Sequence, residues 1–344
     1  MSPTLVGPGD PLGTHRVLAP EGALPQPAER LDSDFSRRFG TEILIDVETL
    51  NIDAASFRQM EEEAGSADGV PALVLQTVAR RGKQHNPVTG SGGMLLGRVV
   101  EVGELARDRG FHPGDRVATL ASLSLTPLAL SEIRAVRAES AQLDVVGRAV
   151  SFHSAPLAKL PDDFSPRVAL ALLDVAGAAP QIARRARPSG VVVVLGAGGK
   201  SGLLCAAEAR RRVGPEGLVV GVESHAPFAE ELRALGICDR VALVDARDPL
   251  AVRDAVGLEA DLVVSCVSVE GVEMSAIVVT KQRGTAYFFA MTTSFPRAAL
   301  GAEGVGKDIE LAIGNGYAEG HAAHTLDLVR ESPALRALVE RRYG

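Results

Sequence analysis

Val191-Val192-Val193-Val194-Leu195, followed at once by Gly196-Ala197-Gly198-Gly199-Lys200-Ser201-Gly202, leaves this chain few choices of fold. Five consecutive apolar residues with no polar alternation predict a strand covered on both faces, which is the habit of a parallel sheet flanked by helices. The glycine-dense turn after it opens a helix over 200–213. In a dinucleotide-binding fold the first glycine of such a turn makes the tight reversal. The middle ones let backbone N–H groups approach a pyrophosphate at the helix N-terminus, and the last lets helix and strand pack closely. An acid should then end the next strand, about 20 residues on. Leu218-Val219-Val220-Gly221-Val222-Glu223 supplies it. Gly199-Lys200-Ser201 imitates the end of a P-loop, but that motif needs glycine at 194, where Val194 stands. Gly196, Gly198, Gly199, Lys200, Ser201, Gly202 and Glu223 are therefore the candidate cofactor contacts. A carboxylate accepts hydrogen bonds from ribose hydroxyls and repels a 2′-phosphate, so Glu223 points to NAD, with NADP left open by the neighbouring His225.

The pattern continues beyond the turn. Strands over 218–223, 241–244, 261–266, 285–290 and 309–313 alternate with helices over 227–235, 249–256 and up to about 280, which predicts an α/β, doubly wound parallel sheet. Ahead of residue 160 the chain is strand-rich, with runs at 42–48, 94–103 and 116–120. Glu42 to Glu48 alternates apolar and polar residues and reads as half-buried, and Gly97 interrupts its run as a point of close backbone approach. Helices are predicted over 73–81, stopped by Gly82, over 168–179 without a break, and over 321–343; the first 30 or so residues read as irregular. At 344 residues the chain has room for about two domains.

Composition removes several classes of function. With 36 Lys+Arg against 43 Asp+Glu, the net charge of −7 disfavours a nucleic-acid partner. No run reaches the roughly 18–20 apolar residues of a membrane span, and Met1-Ser2-Pro3-Thr4 does not begin a secretory signal. Cys205, Cys238 and Cys266 form neither a disulfide framework nor a Cys-x-x-Cys metal site, and they suit a reducing cytoplasm.

A strand-rich first part containing Gly114-Asp115-Arg116-Val117, then a Rossmann pattern, resembles the medium-chain dehydrogenase/reductase superfamily. Within it, Gly13-Thr14-His15-Arg16-Val17, Leu24-Pro25-Gln26-Pro27, Leu50-Asn51-Ile52-Asp53, Glu61-Glu62-Glu63-Ala64-Gly65, Asn86-Pro87-Val88-Thr89-Gly90-Ser91-Gly92-Gly93-Met94, Asp174-Val175-Ala176-Gly177-Ala178 and Gly301 to Asp308 resemble the L-erythro-3,5-diaminohexanoate dehydrogenase family. The resemblance implies a GroES-like domain over 1–160, completed by 318–344, and a Rossmann domain over 161–317. It also implies NAD-dependent oxidative deamination in a lysine fermentation route: 3,5-diaminohexanoate and water give 5-amino-3-oxohexanoate, ammonium and NADH. Where zinc-dependent superfamily members place Cys, Gly-His-Glu and Cys ligands, this chain reads Leu50-Asn51-Ile52-Asp53, Gly92-Gly93-Met94 and Leu173-Asp174-Val175, so no metal is expected. A homodimer or dimer of dimers, paired through the edge strand near 309–313, is expected as well.

Such a substrate carries two ammonium groups and a carboxylate, and one amine must lose its proton before hydride can leave its carbon. Asp53, Glu62 and Asp174 are the catalytic candidates. Glu61, Glu63, Thr89, Ser91 and Lys307 are candidates for binding the substrate, with His15, Arg16 and His85 secondary for its anionic end. Each has a plainer reading: adjacent glutamates are usually solvated, a lone lysine is usually a surface charge, and Asp174 in its apolar helix needs some partner. A zinc-independent enoyl or quinone reductase, or a nucleotide-binding scaffold without turnover, are the alternatives. Acids lining the site would argue against the first, and NAD reduction against the second.

Overall fold

The computed structural model describes residues 4–87, 90–314 and 316–344. The chain divides into two units, Met1–Leu170 and Ala171–Gly344. The first holds strands β1 (Glu42–Asn51), β2 (Met94–Val102), β3 (Arg116–Thr119), β4 (Leu128–Arg137), β5 (Gln142–Phe152) and β6 (Leu157–Lys159), and helices α1 (Ala54–Ala64) and α2 (Val70–Arg81). The sheet order is β6-β3-β2-β1-β5-β4, with every neighbouring pair antiparallel. Strand β1 is covered on both faces rather than half-buried. Ile43, Ile45 and Val47 enter the main core with Leu95 and Val99, while Leu44 packs with Phe35, Val150 and Phe152 on the other side. Gly97 is the close approach its sequence suggests, since a Cβ there would strike the Asp46 carbonyl. Residues 4–39 are more ordered than composition implies. Thr4–Gly7 pairs with Arg37–Phe39, and Val17–Ala19 with Arg30–Leu31.

The second unit holds β7 (Val191–Leu195), β8 (Leu218–Glu223), β9 (Arg240–Leu243), β10 (Ala260–Ser265), β11 (Thr280–Phe288) and β12 (Glu310–Ile313). They form one parallel sheet in the order β9-β8-β7-β10-β11-β12, the doubly wound arrangement of dinucleotide-binding domains. Its core is built by Val193, Leu195, Val220, Val222 and Val263. Helix α3 (Pro166–Asp174) crosses the division between the units. After it come α4 (Ala178–Arg185), α5 (Lys200–Val213), α6 (Ala226–Leu235), α7 (Pro249–Val256), α8 (Glu273–Val278), α9 (Phe295–Gly304), α10 (His321–Arg330) and α11 (Pro333–Tyr343).

Two long helices read from the sequence are each broken. The 168–179 run parts after Asp174, where the backbone at Gly177 lies so close to Gly316 that a Cβ would be 2.5 Å from the Gly316 carbonyl oxygen. The 321–343 run parts at Ser332-Pro333, because proline at 333 cannot donate to the preceding turn and Ser332 caps the new helix at Leu335 N–H. The division falls at 170 rather than 160, and the terminal helices belong to the second unit, not the first: Thr325 Oγ1 donates to Ala176 O at 2.7 Å.

Candidate functional site

Strand β7 delivers the glycine-rich turn at the carboxyl end of the parallel sheet, where open α/β sheets bind ligands. Gly196 has φ +72°, a left-handed conformation that glycine adopts without strain. At Gly198 a Cβ would lie 2.6 Å from Phe228 Cβ and 2.7 Å from Glu223 Oε2, and at Gly202 it would overlap the Gly196 carbonyl. Gly199 is the N-cap of α5 and has more room, its nearest such neighbour being 3.4 Å away. The first N–H groups of α5 have no partner one turn earlier, and with the helix dipole they form an anion-binding end.

Glu223 closes this end from the side. Its Oε2 accepts from Gly198 N at 2.9 Å, and its Oε1 accepts from Ser224 N at 2.9 Å and His225 N at 3.0 Å. The residue is buried, its carboxylate held against the turn. A carboxylate offers about four lone-pair positions, so Oε2 retains one for a ribose hydroxyl. Lys200, the first residue of α5, donates to Asp174 Oδ2 at 2.8 Å. Burial by itself would lower the pKa of the Lys200 ammonium, but the charge and hydrogen bond of Asp174 outweigh it and hold it above its ordinary value. Asp174 thus has the partner its apolar helix demanded. Ser201 lies half-buried in the same first turn.

The first unit gathers a separate polar cluster where β1 ends. Asp53 is the N-cap of α1: its Oδ1 accepts from Ser56 N at 2.8 Å, and its Oδ2 is buried with no hydrogen-bond partner among the described residues. The 86–93 loop passes close by, for a Cβ on Gly93 would lie 2.8 Å from Ile52 Cα. Ser91 shapes that loop, its carbonyl accepting from Asn86 N and its hydroxyl from Gly93 N. Asn86 Nδ2 donates to Gln59 Oε1 at 2.8 Å, which ties the loop to α1. Thr89 lies outside the described residues.

Glu61, Glu62 and Glu63 occupy the last turn of α1, with Glu62 and Glu63 exposed. That end of a helix disfavours carboxylates, so they are not placed there to stabilise it.

Four candidates are drawn elsewhere. Lys307 donates to Thr280 O at 2.7 Å and Glu259 Oε1 at 2.5 Å, at the amino end of β11 and so opposite the glycine-rich turn. Arg16 is fully buried and donates through Nε and Nη2 to Glu42 at 2.7 and 2.9 Å, while His15 Nε2 bonds the same carboxylate; both serve the fold. His85 has its pKa lowered by burial, then by Lys83 and Arg81, which keeps it neutral and a poor partner for an anion. Conversely, nothing in the sequence marks out Lys83. It is fully buried and donates to Pro25 O at 2.9 Å and Gln26 O at 3.0 Å, pinning the first loops to the segment that leads into the 86–93 loop. Among the described residues no three His, Cys, Asp or Glu side chains gather as a metal site.

The first unit matches the family model for the L-erythro-3,5-diaminohexanoate dehydrogenase N-terminal domain over residues 15–161. The L-erythro-3,5-diaminohexanoate dehydrogenases of Acetoanaerobium sticklandii and Fusobacterium nucleatum are each 48% identical to this chain, over 96% of it and 98% of their own length. Among solved structures, a quinone oxidoreductase from Coxiella burnetii aligns over 89% of this chain and 88% of its own, with a TM-score of 0.56 at 19% identity, a likeness of fold. Taken with the glycine-rich turn and its acid, this similarity over nearly the full length of two dehydrogenases shows that the chain belongs to the L-erythro-3,5-diaminohexanoate dehydrogenase family.

Proposed function

We propose that this enzyme carries out the NAD-dependent oxidative deamination of L-erythro-3,5-diaminohexanoate to 5-amino-3-oxohexanoate, ammonium and NADH, in the cytoplasm. The observation that carries the reading is 48% identity across nearly all of two dehydrogenases that bear the substrate's name. The geometry of the turn supports the coenzyme half: glycines a Cβ would fill, an anion-binding helix end, and a buried carboxylate beside them. Gly198, Gly199 and the first turn of α5 would hold the pyrophosphate, and Glu223 the adenosine ribose. Bound there, the nicotinamide ring supplies the hydride acceptor.

The chain's own residues have two opposed tasks: to keep one ammonium as a counter-charged anchor, and to strip a proton from the other. We assign the proton acceptor to Asp53, because its buried Oδ2 has no partner among the described residues, whereas Asp174 is neutralised by Lys200. Once that proton has passed to solvent and hydride has left C3, the same carboxylate, ionised again, would take a proton from the water that attacks the imine. Glu61, Glu62 and Glu63 supply negative charge for the retained 5-ammonium, and Thr89 and Ser91 supply hydroxyl groups. Asp174 holds Lys200 charged beside the phosphates. The chain assembles as a homodimer through the open edge of β12, where Ile313 is 65% exposed; sedimentation as a monomer at working concentration would refute this. The activity is tested by NADH formation from 3,5-diaminohexanoate beside lysine and simple β-amino acids, of which only the first should be turned over.

A further inference from the structure

Gly198 is held from both sides. Its N–H goes to Glu223, while its carbonyl accepts from Arg342 Nη1, on α11, at 2.7 Å. The same guanidinium forms an ion pair with Glu231 on α6 and lies with its central carbon 4.0 Å from the centre of the Phe228 ring. Arg341 reinforces the arrangement at 2.6 Å from Glu231, whose pKa, though burial would raise it, is held down by the two arginines. Phe228 is the side chain that a Cβ on Gly198 would strike, so α6, the turn and α11 meet at one point.

Arg342 is costly for an ordinary surface helix. Its side chain is only 10% exposed, which gives up rotamer freedom, and its Nε is buried with no partner among the described residues. What it fixes is the carbonyl of the glycine whose N–H meets the ribose-binding acid, together with the aromatic wall beside that glycine.

We propose that Arg342 is a positioning residue for the dinucleotide: it braces Gly198 against α6 so that Gly198 and Glu223 stand at the spacing the adenosine ribose requires. The proposal rests on the reading of the turn as an NAD site. It concerns coenzyme affinity alone, because Arg342 reaches the bound dinucleotide through Gly198 and Phe228.

The test is titration of the full chain with NADH, by fluorescence and by calorimetry, with no diamino acid present. Arg342→Ala removes the brace. Arg342→Met removes both hydrogen-bonding arms but leaves an apolar stem over Phe228, so it folds even where the alanine variant does not. The Kd for NADH should rise about tenfold, the value expected for losing one charge-assisted hydrogen bond. The KM for NAD⁺ should follow it, with kcat nearly unchanged. Arg342→Lys, which keeps the charge opposite Glu231, should recover part of the loss. Calorimetric stoichiometry separates this from a purely structural role, which would shrink the folded fraction and leave Kd where it was. If the unmutated protein binds NADH and Arg342→Met binds it equally well, the proposal is overturned. If the unmutated protein binds neither NADH nor NADPH, the coenzyme reading beneath it falls, and the proposal with it.

Discussion

One methyl group added at Gly202 should damage both the fold of the second unit and its hold on the coenzyme. In an exposed helix, alanine in place of glycine gains about 1 kcal/mol. Here the new carbon would overlap the Gly196 carbonyl and lie 2.8 Å from Ala197 Cα. Both are backbone atoms and cannot rotate aside. Carbon atoms rest at about 3.5–4.0 Å, so α5 must retreat from β7 by roughly 1 Å. Overpacking of this kind costs about 1–3 kcal/mol and cancels the helix gain or exceeds it. For a unit of this size, a net loss near 1–2 kcal/mol lowers Tm by about 2–8 °C. The effect on binding is larger, because the N–H groups of the retreating turn would no longer meet the phosphates. Affinity for NADH should fall at least about tenfold, the equivalent of one well-made bond. Gly199→Ala is the internal control for stability alone, since its methyl finds only a 3.4 Å neighbour within the protein, and it should cost no more than a weakened N-cap, about 1 kcal/mol. Thermal unfolding and NADH titration of both variants decide the matter. A Gly202→Ala protein as stable as its parent with unchanged affinity, or a Gly199→Ala protein that is the less stable of the two, would refute the reasoning.

Glu223→Gln should narrow the preference for NAD⁺ over NADP⁺ in kcat/KM, and equal use of both coenzymes by the unmutated enzyme would remove the basis for that assignment. Asp53→Asn should lower kcat by about 10²–10⁴-fold with little change in KM; asparagine caps a helix as well as aspartate does, so unfolding should be unaffected, and near-normal turnover would place the base elsewhere. Glu42→Gln leaves the buried Arg16 short of its main counter-charge and should cost about 3 kcal/mol by denaturant unfolding. Burial would raise the pKa of Glu42, yet Arg16 and His15 hold it below its ordinary 4.5. Its contribution is therefore complete above pH 4.5 and is lost as pH falls through the lower folded value, so the parent should lose stability faster than the variant below pH 4.5. Parallel acid-unfolding curves would contradict this.

The second unit was legible because its signals are local. Unbroken apolar runs such as Val191–Leu195 mark buried strands, and Gly196 to Gly202 with Glu223 fixes a turn, a helix start and a strand end within one motif. What escaped was set by contacts distant in sequence. Nothing between 168 and 179 says that Gly177 must come up against Gly316, so the helix break there was invisible. Lys307 looked like a free charge because its partners, Thr280 at the start of β11 and Glu259 just ahead of β10, lie 27 and 48 residues back in the chain. His15 and Arg16 stand out as a motif, but their partner Glu42 lies 26 residues or more away and looks like an ordinary surface position on a strand. Asp53 stood out only through the family resemblance; that it starts a helix, and which of its oxygens caps that helix, is seen only in the folded chain.

Lys83 gives the first unit a chemical reporter of its own opening. With two carbonyl oxygens as partners and no ion pair to a carboxylate among the described residues, burial followed by the Arg81 charge brings its ammonium down to about 8. The folded unit therefore releases this proton earlier than the unfolded chain, and stability should rise with pH between about 8 and 10.5, the same sense as the acid-side behaviour of Glu42 but in a separate pH window. Near pH 8 much of the side chain is an uncharged amine, a better nucleophile than the exposed lysines, yet it is shut away behind Pro25 and Gln26. Acylation at Lys83 can proceed only as fast as that loop lifts, so its labelling rate is a clock for a motion that activity does not report.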